Sequence, residues 1–162
     1  MASGDPLLLK ALEMVGPAML GQVAWSVITL RPRSLAADSR RLVRCLNPAP
    51  EFEGIENIPV REPFLLVSNH FQAPGLWVGW LAVAITAAVA SARSPERGEV
   101  HWMITAEWTG EIAGREVANP LSSVLFRRAA RTWGLIAIPA GTTDVSGRAR
   151  ALREALSYLR CP

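Results

Sequence analysis

An α/β layer architecture, a sheet flanked by helices, is the fold class this sequence predicts, and three observations lead there. Short apolar runs bounded by turn residues recur at 64–68, 100–105 and 135–138. Segments of helical length and pattern lie between and after them. The clearest of these carries Asn119 as N-cap, Pro120 at the first helical position and Gly134 just past its end.

Residues 7–30 are mostly apolar but include Lys10, Glu13, Gly16, Pro17, Gly21 and Gln22. Their uncharged part, 14–30, is at the short limit for crossing a bilayer, and Gly16-Pro17 is expected to kink it. Arg31, Arg33, Arg40, Arg41 and Arg44 follow, against the single acid Asp38. An apolar helix before a basic stretch predicts an anchor on an anionic membrane surface, with arginines on headgroups. The other reading is a helix packed on the domain with a solvated basic linker. Leu35, Leu42, Val43 and Leu46 share a helical face, and Pro48 and Pro50 end that element. Residues 1–47 thus read as a helical, membrane-associating segment, and 48–162 as the α/β domain.

Within that domain, 51–55 can form a short strand, and Asn57-Ile58-Pro59 reads as a turn. Phe64-Leu65-Leu66-Val67-Ser68 reads as a buried central strand, because its apolar run shows no alternation. Residues 71–92 carry no charge. Glycine and alanine make them a helix packed on the sheet, rather than a membrane span. Residues 100–105 form a second strand. In the capped helix after Asn119, Leu121, Val124, Leu125 and Ala129 supply the inward face, with Arg127, Arg128 and Arg131 towards the other side. A third strand, 135–138, precedes the loop 139–147. A last helix then places Ala149, Leu152, Leu156 and Leu159 on one side. An α/β pattern returns to its sheet after such a helix, so the domain is expected to be cut short at Pro162.

Composition narrows the function classes. The 162 residues are 50% apolar with a net charge of +3, the pI is about 9.5 and mean hydropathy is +0.20. That hydropathy is high for an ordinary soluble domain and suits membrane contact or a fully apolar helix. Lys10 is the only lysine, so nearly all the basic charge is arginine, which grips phosphate bidentately. Basic and aromatic residues are not regularly interleaved, which argues against a nucleic-acid groove. Cys45 and Cys161 have neither metal nor redox spacing, in keeping with a reducing compartment. The start Met1-Ala2-Ser3-Gly4-Asp5 is acidic, unlike a secretory signal. No metal or cofactor is expected, and the expected location is the cytoplasmic face of a membrane.

The stretch Phe52-Glu53-Gly54-Ile55-Glu56-Asn57-Ile58-Pro59, then Pro63 and Phe64-Leu65-Leu66-Val67-Ser68-Asn69-His70, resembles the opening of the lysophosphatidic acid acyltransferase superfamily, the glycerolipid acyltransferases. There a Gly-x-Glu-Asn-x-Pro turn leads to a buried strand ending in Asn-His, the His belonging to a His-x-x-x-x-Asp motif. The likeness runs on through the apolar helix, Trp102 to Trp108, and Asn119 to Ile138. It implies transfer of an acyl group from a coenzyme A or acyl carrier protein thioester to a lysophospholipid hydroxyl in phospholipid biosynthesis. His70 would be the general base and a carboxylate would orient its ring. The resemblance implies no cofactor beyond that acyl donor.

Three departures accompany the resemblance. Gly75 stands at the position of the motif Asp, leaving a carbonyl or another acid, such as Glu107, to orient His70. Gly134-Leu135-Ile136-Ala137-Ile138-Pro139-Ala140 lacks the arginine that meets substrate phosphate in the family. The family's Phe-Pro-Glu-Gly stretch is absent. Two alternatives follow: a homologue that binds lipid or acyl thioester with impaired catalysis, or a membrane-anchored interaction protein. His101, beside Trp102, is read as structural. Arg127, Arg128 and Arg131 read as a solvated face rather than a phosphate site. Some of the six tryptophans would sit at a membrane interface and more in the core.

Overall fold

The computed structural model describes residues 15–46, 49–69, 78–94, 98–107, 109–112, 115–140 and 144–160. Most of these are helical, with two small sheets, which agrees with α/β in the broad sense. The chain forms two compact units. The first comprises Met1–Ala24 and Ser34–Val100, the second Trp25–Arg33 and His101–Pro162.

Helix α1 (Pro17–Thr29) belongs partly to each unit. Gly16 breaks the helical path before it, at φ +73°, so Pro17 occupies a first-turn position where its missing N–H costs nothing. At the other end, Leu30 is left-handed at φ 55° and Arg31 N–H donates to the Ser26 carbonyl at 3.0 Å. This is the Schellman closure usually built on glycine, here made by a leucine at a cost of about 1–2 kcal/mol.

In the first unit, α2 (Leu35–Val43) packs along α3 (Val78–Ala92). Ser34 caps α2, its Oγ accepting from Ala37 N–H at 2.9 Å. The Glu99 carboxylate accepts from Ser34 Oγ and from Ala36 N–H (3.3 Å), placing an anion at the positive end of the helix. The contact is made of small residues: Ala36 and Ser39 on α2, Thr86, Ala87, Ala88, Val89 and Ala90 on α3. Thr86 turns its hydroxyl onto the Ala82 carbonyl at 2.8 Å, whereas the Ser39 hydroxyl is fully buried and makes no hydrogen bond. As the sequence predicts, the uncharged stretch supplies a helix of this unit, Val78–Ala92, but among the described residues it packs on α2 and not on a sheet as expected. No helix among the described residues is long and apolar enough to cross a membrane.

Two expected strands are absent from this unit. Residues 51–54 are irregular and lead into a single 3-10 turn, Ile55–Asn57. Residues 64–68 enter no strand among the described residues, and they are largely exposed: Leu65 by 75% and Val67 by 85%. Apolar content alone does not make a central strand; a ladder partner is needed, and the described residues offer it none.

The second unit is organised on β1 (Met103–Thr105), which pairs in parallel with β4 (Ile136–Ile138) in the register Met103↔Ile136, Ile104↔Ala137, Thr105↔Ile138. Ile136 N–H donates to the Trp102 carbonyl (2.9 Å) and Ala106 N–H to that of Ile138 (2.7 Å), lengthening the ladder. A parallel pair needs a long crossover, which runs through α4 (Pro120–Trp133). Before α4 comes a hairpin of β2 (Thr109–Ile112) and β3 (Arg115–Ala118), which the sequence reading missed. Its signal was there: a two-residue, glycine-containing spacer, Ala113-Gly114, between β-compatible segments.

The boundaries of α4 match the sequence expectation. Asn119 Oδ1 accepts from Leu121 N–H (3.0 Å) and Ser122 N–H (3.3 Å). Gly134 closes the other end at φ 64°, with Leu135 N–H on the Ala130 carbonyl (2.8 Å). The faces do not match. Ser122, Ala130 and Thr132 are buried, while Leu121, Val124 and Leu125 are exposed. In α5 (Val145–Arg160), Gly147 and Ala151 are buried and Leu152 and Leu156 exposed. Both helices meet β4 through their smaller side chains, which allow a closer approach than leucine would.

Asp144 caps α5, its Oδ1 accepting from Gly147 N–H (2.8 Å) and Ser146 Oγ (3.0 Å). The bond from Gly147, then that from Ser146, holds its pKa below the ordinary 3.8.

Two measurements check this description. Ser39→Ala removes a buried hydroxyl that makes no hydrogen bond and is expected to raise stability by about 1 kcal/mol in urea unfolding. For Asp144, a depressed carboxylate pKa stabilises the fold above the unfolded value, and that stability is lost as pH falls through the folded one. Asp144→Asn is therefore expected to lower the melting temperature at neutral pH and to narrow its gap to wild type in acid.

Candidate functional site

The resemblance centres the chemistry on His70, and the structure describes the approach to it as far as Asn69. That approach begins at Gly54, whose φ of 75° lets the chain turn back on itself. Asn57 N–H donates to the Gly54 carbonyl and Ile58 N–H to that of Ile55, both at 3.0 Å. A β-carbon at Gly54 would stand 3.2 Å from Asn57 Nδ2, so the Gly-x-x-Asn spacing is one compact turn.

Beyond the turn, Arg93 at the end of α3 gathers the chain. Its backbone N–H extends the helix to Val89, while Nη1 donates to the carbonyls of Pro59 and Glu62, the latter at 3.0 Å. The guanidinium also lies 5.2 Å from the centroid of the Phe64 ring, a cation–π distance. One arginine thus fixes three points of the path from Pro59 to Phe64. From there residues 65–69 run exposed towards His70. His70 and Gly75 lie outside the described residues.

The remaining expected site residues fall in other surroundings. The Glu107 carboxylate accepts from Ser123 Oγ at 3.1 Å, within the second unit. His101 Nδ1 is 2.7 Å from the Gly134 carbonyl. A carbonyl only accepts, so Nδ1 carries the proton. The same ring stacks on Tyr158, centroids 3.6 Å apart and planes at 11°. His101 therefore joins the end of α4 to α5, in line with a structural role. An apolar cleft of about 200 Å³ in the same unit is lined by Met103, Ile138, Ala151 and Leu152 with Arg148. Leucine spacing gave no sign of the cleft, because the helix turns Ala151 inward.

The arginines separate into two kinds. Arg128 Nη1 donates to the carbonyls of Ile28 (2.7 Å) and Val27 (3.4 Å), the negative end of α1. Arg40 Nη1 donates to the Ala90 carbonyl near the end of α3 (3.0 Å), and Arg33 Nη1 to Ser26 Oγ (3.4 Å). Arg31, Arg41, Arg44, Arg127 and Arg131 are exposed. Of the five arginines expected to meet headgroups, Arg33 and Arg40 thus serve the fold. Among the described residues, no three of His, Cys, Asp and Glu are gathered as a metal ion requires.

Arg93→Met keeps the stem and removes the donors. It is expected to lower stability by about 1–2 kcal/mol and to speed proteolysis within 59–69, read by mass spectrometry of timed digests. No protein-family model, curated protein or solved structure matches this chain.

Proposed function

We propose that the chain is an acyltransferase-like protein of phospholipid biosynthesis, with His70 as general base. The observation that carries the reading is the ordered run Gly54-Ile55-Glu56-Asn57-Ile58-Pro59, then Phe64-Leu65-Leu66-Val67-Ser68-Asn69-His70. The compact Gly54–Asn57 turn and the Arg93 clamp support it, since both organise the chain just ahead of His70. The finer form of the fold, an acyltransferase-like layered sheet, belongs to the same proposal. So does the setting, the cytoplasmic face of an anionic membrane, with a lysophospholipid as acceptor and acyl-coenzyme A or acyl carrier protein as donor.

In this mechanism the His70 imidazole takes the proton of the acceptor hydroxyl as its oxygen attacks the thioester carbonyl carbon. The tetrahedral adduct collapses, the carbon–sulfur bond breaks, and the imidazolium returns the proton to the departing thiolate. The products are an ester and a free thiol. Imidazole performs this best when a carboxylate fixes its tautomer, which in the serine-protease triad is worth about four orders of magnitude. Gly75 supplies none. That absence favours the second reading, a homologue that binds lipid or acyl thioester but turns over poorly.

The test is acyl transfer from palmitoyl-coenzyme A to lysophosphatidic acid, with binding of the labelled thioester measured in parallel. The chain itself is expected to bind the thioester and to show no transfer above background. Gly75→Asp is expected to bring in transfer that disappears when His70→Ala is added. Binding without transfer in Gly75→Asp would favour the second reading, and absence of both would overturn the proposal.

A further inference from the structure

Helix α4 turns the wrong face outward for an ordinary soluble helix. Leu121, Val124 and Leu125 are each more than half exposed. Exposed Arg127 borders this stripe one turn on from Val124, and exposed Arg131 follows one turn beyond Arg127. Along the helix the stripe leads to Arg128, whose guanidinium sits on the carbonyls of Val27 and Ile28. On that end of α1, Trp25 and Ile28 are also more than half exposed, and the exposed Arg31 follows. Residues 17–33 and 120–133 together hold five arginines and no acidic residue. Of the nearby carboxylates, Glu107 is engaged with Ser123, which lies across the helix from Leu121 and Leu125. Asp144, close enough to Arg127 to feel its charge, accepts from Gly147 and Ser146.

We propose that this face, formed by the outer side of α4 and the end of α1, docks on the surface of an anionic lipid bilayer. The charge pattern selects that occupant. Large apolar side chains ringed by arginine, with a tryptophan among them, match a boundary where acyl chains meet anionic headgroups. A second copy of the chain would bring five more arginines against these five. The face also differs from the apolar residues 7–30 as an anchor, since most of it comes from the helix after Asn119.

The experiment is flotation of the full chain with phosphatidylcholine vesicles and with mixed phosphatidylcholine–phosphatidylglycerol vesicles, at low and high salt. The wild-type chain is expected to prefer the mixed vesicles and to lose that preference at high salt. R127Q/R131Q is expected to lower the partition coefficient roughly thirty-fold at low salt, the factor given by about 1 kcal/mol per basic residue. L121Q/L125Q is expected to weaken binding to both vesicle types with an unchanged circular dichroism spectrum, because both side chains are already exposed. R41Q/R44Q, at the end of α2 and not part of the face, is the control and is expected to have the smaller effect. Equal losses in the two arginine pairs, wild-type binding in R127Q/R131Q, or no preference of the wild-type chain for the anionic vesicles would each overturn the proposal. R127Q/R131Q alone decides the matter if L121Q/L125Q does not fold.

Discussion

A β-carbon at Gly147 would collide with the Asp144 carboxylate and come within 2.6 Å of Pro139 Cγ, so α5 reaches the end of β4 only because that position is glycine. The same requirement recurs through the molecule. Ala151 is buried on the next turn of α5, Ser122 and Ala130 are buried on α4, and Ala36 and Ser39 on α2 face the alanines of α3. Close approach through small side chains gives dispersion contacts between backbones rather than large buried side chains. It also leaves the leucines to point elsewhere, and in the second unit they point outward.

This geometry explains which parts of the fold were legible in the sequence. Helix ends were, because capping is local chemistry. Asn119, Pro120 and Gly134 mark α4 by hydrogen bonds and φ angles that need no knowledge of neighbours. Faces were not. Reading the inward side of α4 from Leu121, Val124 and Leu125 assumes that the largest apolar residues seek the core, and here the nearest neighbour admits only smaller ones. The run 64–68 misled for a related reason. Apolar content predicts burial, but a strand exists only through its partner, and partners are far away in sequence. For the candidate site, the Gly54–Asn57 turn could be read directly, whereas its second support could not. Arg93 comes 34 residues after Pro59, and no spacing links the two.

Arginine has a further part in holding the chain together. Arg128 covers the final carbonyls of α1, Arg40 the Ala90 carbonyl near the end of α3, and Arg93 two loop carbonyls. Each satisfies backbone acceptors that a helix end or loop leaves open. A basic composition that looks like a binding signal is therefore partly structural, and only the arginines left exposed can answer to a partner. Those include Arg41 and Arg44 at the end of α2, and Arg150, Arg153 and Arg160 on α5. They also include Arg31 just past α1 and Arg127 and Arg131 on α4, the helices that carry exposed Trp25 and Leu121.

Gly134 illustrates how two demands on one position limit the routes open to a lineage. Its φ of 64° disfavours any side chain, and a β-carbon there would also meet His101 Nδ1 at 3.3 Å. Trimming the histidine would relieve the second conflict and leave the first. The same change would discard the bond to the Gly134 carbonyl and the stack on Tyr158. A suppressor of a Gly134 mutation would thus have to come from outside this contact, so drift at the α4 terminus is held by backbone angle and by neighbour at once.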